Sequence, residues 1–266
     1  MGTIDSTMRD QRLEQEERER ERIEQELLVA RRIQQASLPK EVPTLAGWEI
    51  SPFYQPAREV GGDFYDFFEL DEDRVGVVVG DATGKGVPAA LVAEATSNML
   101  RALAQGLDPS SPGEVLKRVN ETLLARMPHN MFVTCFYAIL DPNIASLSYA
   151  NAGHDLPYVR HSDGDAEELR ARGMPLGLMP GMIYEEKDIV LQAGEIALLY
   201  SDGLVEAHNP KGEMFGFSGL RELVAEHGEE RTLGEVLLEE LYSFVGEGWE
   251  QEDDITLLTL RRSSAP

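Results

Sequence analysis

Cysteine is nearly absent. The 266-residue chain has one, Cys135, so no disulfide framework can form. That thiol cannot run a cysteine-dependent phosphatase, which needs an arginine six positions on to cradle the phosphate; Asp141 stands there. Cys135 lies within MFVTCFYAIL and reads as a small buried hydrophobe. Long apolar runs are absent too. None approaches the roughly 20 residues that span a bilayer, and the N-terminal segment is charged rather than apolar. The expectation is a soluble cytoplasmic protein with no membrane partner. Basic residues are scarce: 24 Lys and Arg face 48 Asp and Glu, for a net charge of −24. Residues 1–40 hold 9 acidic and 8 basic side chains, so nearly all of that charge sits on the remainder. Such a body repels nucleic acid and anionic membranes and favours cations. The five histidines include no H-E-x-x-H and no close pair, which excludes a zinc hydrolase of that kind. GDATGKG at 80–86 fails as a phosphate-cradling P-loop. Val79 stands where the first glycine is required, and Gly86 where Ser or Thr is required.

What is present begins with a hydrophobic content of 42%, enough for a packed core. Residues 8–38 contain no Gly or Pro and read as one helix ended by Pro39. Glu14/Arg18 and Glu16/Arg20 have i,i+4 spacing. Ile23, Leu27, Ala30, Gln34 and Ser37 step by four and three, a weak heptad seam that strengthens toward the body. The seam suits either a dimeric coiled coil or a helix ending against its own domain. After Pro43 the pattern changes. Strands are expected at 48–56, 63–70, 74–81, 156–160, 183–191, 195–203 and 253–262, and a hairpin of two strands at 132–153. Helices are expected at 87–105, 111–127, 217–228 and 232–245. Hairpin-linked strands with grouped helices define an α+β class, with helices packed on antiparallel sheets. The division expected is a helical linker at 1–39, one domain at 40–262 and a short tail at 263–266.

Carboxylates recur at strand ends. VVVGD places Asp81 after a buried run, and IALLYSD places Asp202 after another. QEDDITLLTL sets Asp253 and Asp254 just before a third strand, and GGDFYDFF sets Asp63 at the start of a fourth. Each alone is an ordinary turn residue. Together they could converge, and clustered carboxylates repel unless a divalent cation neutralises them. All-oxygen ligation suits Mg²⁺ or Mn²⁺ better than zinc. Two such ions about 3.5–4 Å apart can share a carboxylate and lower the pKa of a bridging water. The Ala82 carbonyl is a further possible ligand beside Asp81.

These pieces resemble the SpoIIE-type branch of the PPM (type 2C) metal-dependent serine/threonine protein phosphatases. The matching stretches are AREVGGDFYDFF at 57–68, VVGDATGKGVPAAL at 79–91, NAGHDLPYV at 151–159, GMPLGL at 173–178, LLYSDGLVEAHN at 198–209 and DDITLLTL at 253–260. Each is modest alone; six in this order are specific. The resemblance implies an α-β-β-α sandwich of two antiparallel sheets flanked by helices, with a dinuclear Mn²⁺ or Mg²⁺ site at one end. By motif position Asp81 would bridge the ions, Ala82 would offer its carbonyl to one, and Asp202 and Asp253 would hold the other. Asp63 would act through bound water or toward a third ion, and Asp254 would stand behind the ligands. The histidine that the wider family often has two residues after the bridging Asp is replaced by Thr83. Leaving-group protonation then falls to metal-bound water or to His154, which also reads as a structural turn histidine. No residue clearly matches the phosphate-binding arginine of eukaryotic members; Arg58 is the nearest. The resemblance further implies a phosphoserine or phosphothreonine substrate on an anti-sigma-factor antagonist of a partner-switching pathway. An activating input from a partner protein would arrive through the helix and its junction ARRIQQASLP, and the protein would be a homodimer. Two other readings stand beside it: a non-catalytic coiled-coil and acidic interaction module, and a metal-dependent small-molecule or nucleotide phosphatase. No aromatic clamp or basic pocket for a nucleotide stands out.

Overall fold

The computed structural model describes residues 2–71, 73–106, 111–127, 130–228 and 231–263, with side chains from residue 12 onward. Most of the expected tail lies outside the described residues. The first helix, α1 (Gly2–Ser37), starts earlier than the sequence pattern suggests. Its Glu14–Arg18 pair forms at 3.3 Å, whereas Glu16 and Arg20 take other partners, Arg12 at 3.1 Å and Glu24 at 3.0 Å. Of the seam residues, Leu27, Ala30 and Gln34 are half-buried, while Ile23 and Ser37 stay exposed.

Ten strands and five further helices follow: β1 (Trp48–Gln55), β2 (Asp63–Glu69), β3 (Val75–Ala82), α2 (Val87–Gly106), α3 (Pro112–Arg126), β4 (Val133–Asp141), β5 (Ser146–Ala152), β6 (Tyr158–Arg160), β7 (Ala166–Glu168), β8 (Glu186–Val190), β9 (Ile196–Tyr200), α4 (Asp202–Val205), α5 (Gly216–Glu226), α6 (Leu233–Val245) and β10 (Ile255–Arg262). They form two five-stranded sheets, β1-β10-β9-β6-β7 and β2-β3-β4-β5-β8, in which every pairing is antiparallel.

The strand period of two explains the layering. On β3, Val75, Val77 and Val79 face the other sheet, where they meet Leu199 of β9 and Leu258 and Leu260 of β10. Val78 and Ala82 face the opposite way, onto Ala89, Ala93 and Leu100 of α2 and Val115, Val119 and Leu123 of α3. With both faces covered, β3 reads as a continuous apolar run rather than an alternating one. Gly76 and Gly80 sit in it because Phe68 and Phe64 of β2 fill the space; an added Cβ would come within 2.3 and 2.6 Å of those rings. A third core joins Leu198, Tyr200 and Leu257 to Leu220 and Val224 of α5 and to Leu237 and Leu241 of α6. Three cores between four layers make an α-β-β-α sandwich. No helix of the described residues is long and apolar enough to cross a membrane.

Candidate metal centre

The two sheets meet at one end of the sandwich, and the strand-end aspartates collect there. Asp63 and Asp81 are cross-strand partners at the start of β2 and the end of β3. Asp253 precedes β10 of the other sheet. Asp202 differs from its expected place. β9 stops at Tyr200, Ser201 is the N-cap, and Asp202 opens the short helix α4 rather than ending a strand. Gly203 permits this: a Cβ there would stand 2.0 Å from the Asp254 carbonyl oxygen. Ser201 fastens the turn to β10, its hydroxyl donating to the Asp254 carbonyl at 3.2 Å and accepting from the Thr256 amide at 2.9 Å.

Asp81, Asp202 and Asp253 line one cleft of ≈ 350 Å³, together with Lys85, Thr134, His154 and Asp155. Asp63 lies behind Asp81, almost fully buried, and accepts a 2.5 Å hydrogen bond from Thr256. Burial and the neighbouring carboxylates push these acids upward: Asp81 to about 8, Asp202 to about 6, and Asp63 well above the usual carboxylate range. Asp254 points away from the cleft. Its carboxylate accepts from the amides of Ala57 (2.8 Å), Gly62 (2.6 Å) and Asp63 (3.3 Å), which fixes the segment entering β2. That segment is also held from outside: Gln34 of α1 donates to the Gly61 carbonyl at 2.8 Å and accepts from its amide at 3.1 Å.

The donor set suits hard divalent cations. The Gly62 amide is turned to Asp254, so although the Ala82 amide donates to the Gly62 carbonyl (3.1 Å), the Ala82 carbonyl lacks the reciprocal ladder donor. A Cβ on Gly62 would lie 2.8 Å from that carbonyl oxygen and 3.1 Å from Asp81 Oδ1, so only glycine leaves the two oxygens their shared space. Among the described residues no three His, Cys, Asp or Glu side chains are arranged to hold an ion by themselves. Mg²⁺ does not demand that, since it commonly keeps several waters and takes one or two carboxylates. The chemistry of the residues present fits such ions: Asp81, Asp202, Asp253 and the Ala82 carbonyl would offer oxygen donors only.

His154 is committed elsewhere. Its Nε2 donates to the Tyr200 carbonyl (3.1 Å), which makes Nδ1 the acceptor from the Thr134 hydroxyl (2.9 Å). Burial lowers its pKa to about 4, so it is neutral and both nitrogens are used. Asn151 closes the same turn, bonding the His154 amide at 2.7 Å and its carbonyl at 2.9 Å. Thr83 binds the Phe132 carbonyl through its hydroxyl at 2.9 Å. Arg58 is exposed and close enough to Lys85 to act on it electrostatically. Sequence reasoning missed Asp155 and Lys85. Asp155 has a buried Oδ2 with no partner, and burial together with Asp202 and Glu206 raises it to about 6. Its signal was its place inside NAGHD, next to the histidine that drew attention instead.

A four-layer sandwich with an acidic cleft where its two sheets meet defines a PP2C-type phosphatase domain. The SiaA-PP2C domain of Pseudomonas aeruginosa superposes with a TM-score of 0.80 at 25% identity, over 91% of this chain and 98% of that one. The family model described as Stage II sporulation protein E (SpoIIE) matches residues 71–263, and the chain belongs to that family. It is 31% identical over 264 residues to Protein IcfG of Synechocystis sp. (90% of this chain, 42% of IcfG). It is 30% identical over 244 residues to the phosphoserine phosphatase RsbU of Bacillus subtilis (90% of this chain, 71% of RsbU). The chain thus spans less than half of one of these relatives and about seven-tenths of the other.

Proposed function

We propose that the protein is a cytoplasmic, metal-dependent phosphatase that hydrolyses phosphoserine or phosphothreonine on a protein, with two Mn²⁺ or Mg²⁺ ions held by Asp81, Ala82, Asp202 and Asp253. The observation that carries this is the meeting of Asp81, Asp202 and Asp253 around one cleft, from segments more than 50 residues apart in the chain. When bound, such ions supply a water of lowered pKa and neutralise charge on the phosphoryl group. The chain's own part is positional. Asp81 would contribute its carboxylate to the ions; Asp63, bonded to Thr256, backs it; Asp254 fixes the Gly61–Gly62 approach; and His154 holds the NAGHD turn without donating a proton.

RsbU is named a phosphoserine phosphatase. That likeness favours a small phosphoprotein as substrate, in the way an anti-sigma-factor antagonist would serve a partner-switching pathway. Residues 1–39 form the input element and 40–262 the catalytic domain. Input from an activating partner travels through α1, because the Gln34–Gly61 clasp ties that helix to the segment that Asp254 also holds. Ile23, Leu28, Val29 and Ile33 are exposed along α1 and offer apolar surface for a homodimer. Phosphate release from candidate phosphoproteins, with and without Mn²⁺, tests the reading. Release that requires the ion supports it; no release with any divalent ion from folded protein favours the non-catalytic interaction module.

A further inference from the structure

We propose that Lys85 is a built-in counter-ion for Asp253, which a divalent cation must displace to load the site; this rests on the metal-centre reading above. Lys85 Nζ donates to Asp253 Oδ2 and to the Glu252 carbonyl, each at 2.7 Å. Asp253 Oδ1 accepts from the Asp254 amide at 2.9 Å. Both carboxylate oxygens are therefore engaged, and an ion approaching Oδ2 competes with the ammonium for it. Among the described residues lining the cleft, Asp253 is the carboxylate with a salt bridge; Asp81 and Asp202 have none. The ammonium's direct contact is thus with Asp253, while its charge also reaches Asp202.

The surroundings suit an exchangeable contact. The Lys85 side chain is 45% exposed. It is carried on a turn whose flanking glycines, Gly84 and Gly86, adopt φ of +102° and +73°, with open space where a side chain would be. Gly84 and Lys85 are exposed, so the ammonium can leave Asp253 without disturbing a core. The same turn leads into α2, whose first turn closes on Gly86 through the Ala90 amide at 3.0 Å. Release of Lys85 is therefore linked to the start of the helix that packs beside α1. An exposed ion pair of this kind is worth about 0.2–1 kcal/mol, a competition of about 1.4- to 5-fold in affinity.

The test is Mn²⁺ titration calorimetry on the full chain and on Lys85→Gln, with a crystal structure of the wild type grown in Mn²⁺. The expected result is a Kd about 1.4- to 5-fold lower in K85Q, and a wild-type structure with Mn²⁺ on Asp253 and Lys85 Nζ beyond hydrogen-bond reach of it. An unchanged Kd in K85Q overturns the inference, as does Mn²⁺ on Asp253 with Lys85 still bonded to Oδ2. Wild-type protein that takes up no Mn²⁺ overturns the metal-centre reading itself, and this inference with it.

Discussion

Asp253 and Asp254 adjoin in the chain and do different work. Asp253 faces the cleft; Asp254 collects three backbone amides and fixes the segment entering β2. Asp254→Asn keeps the volume but loses acceptor capacity, so it should cost about 1–3 kcal/mol in urea unfolding. Asp81→Asn should leave stability near wild type or above it, because the carboxylate is held at a raised pKa by burial and by Asp202 and Asp253. Its turnover of a phosphoserine peptide should fall at least ~100-fold; near-normal turnover at saturating Mn²⁺ would contradict the assignment. Two histidines give a pH signature. Burial alone would lower His161, but hydrogen bonds to Glu195 (3.0 Å) and Glu167 (2.9 Å) outweigh it and raise the pKa. A raised histidine contributes stability fully present below its ordinary 6.5 and lost as pH rises through the higher folded value. His161→Gln should therefore cost roughly 0.5–1 kcal/mol at pH 6 and little at pH 9, read by thermal unfolding. His154, lowered to about 4, works in the opposite sense: its contribution is present above 6.5 and fades as pH falls toward 4. At this scale the aspartates were legible because turn chemistry marks them. Lys85, Asp155 and the Asp254 amide cradle were not, since their partners lie across the fold.

Elements show the same division. β1–β5, β9, β10, α2, α3, α5 and α6 fall close to where periodicity puts them, because each buries a regular stripe. Two pieces were hidden. β7 is three residues of mostly acidic edge strand, and α4 is a four-residue helix following an apolar strand through Ser-Asp-Gly, a signal that reads equally as a turn. Their places come from tertiary contacts: β7 pairs with β6, and α4 fits only because Gly203 lies against β10's entry. Gly203→Ala should consequently destabilise the protein by about 2 kcal/mol or more and misplace Asp202, seen as lost turnover together with a lower melting temperature. α1 bonds the segment entering β2 through Gln34. Gln34→Ala leaves the Gly61 amide and carbonyl without their partner, and should cost about 1 kcal/mol while weakening Mn²⁺ binding measured by calorimetry; unchanged binding would disconnect the helix from the centre.

In the whole molecule, the four layers and the metal centre are parts of one arrangement. The sheets pack through Val77, Phe136, Leu199 and Leu258. That packing brings the Asp63–Asp81 rim of one sheet against the Asp202 and Asp253 ends of the other, with the Thr256–Asp63 bond joining them. The SpoIIE-type motifs made this architecture readable from sequence, whereas the seam of α1 left its partner open. Removing residues 1–36 takes away Gln34 and the exposed apolar residues of α1. It should change the mass in light scattering or the basal turnover, and a truncated chain identical to the full one in both would leave α1 without a role. Calorimetric titration of the full chain with Mn²⁺, repeated on Asp81→Asn, bears most directly on the centre. The account predicts uptake of about two ions per chain, with most of the heat lost in the variant. No uptake by the wild type, or uptake that survives the Asp81 substitution intact, would contradict it.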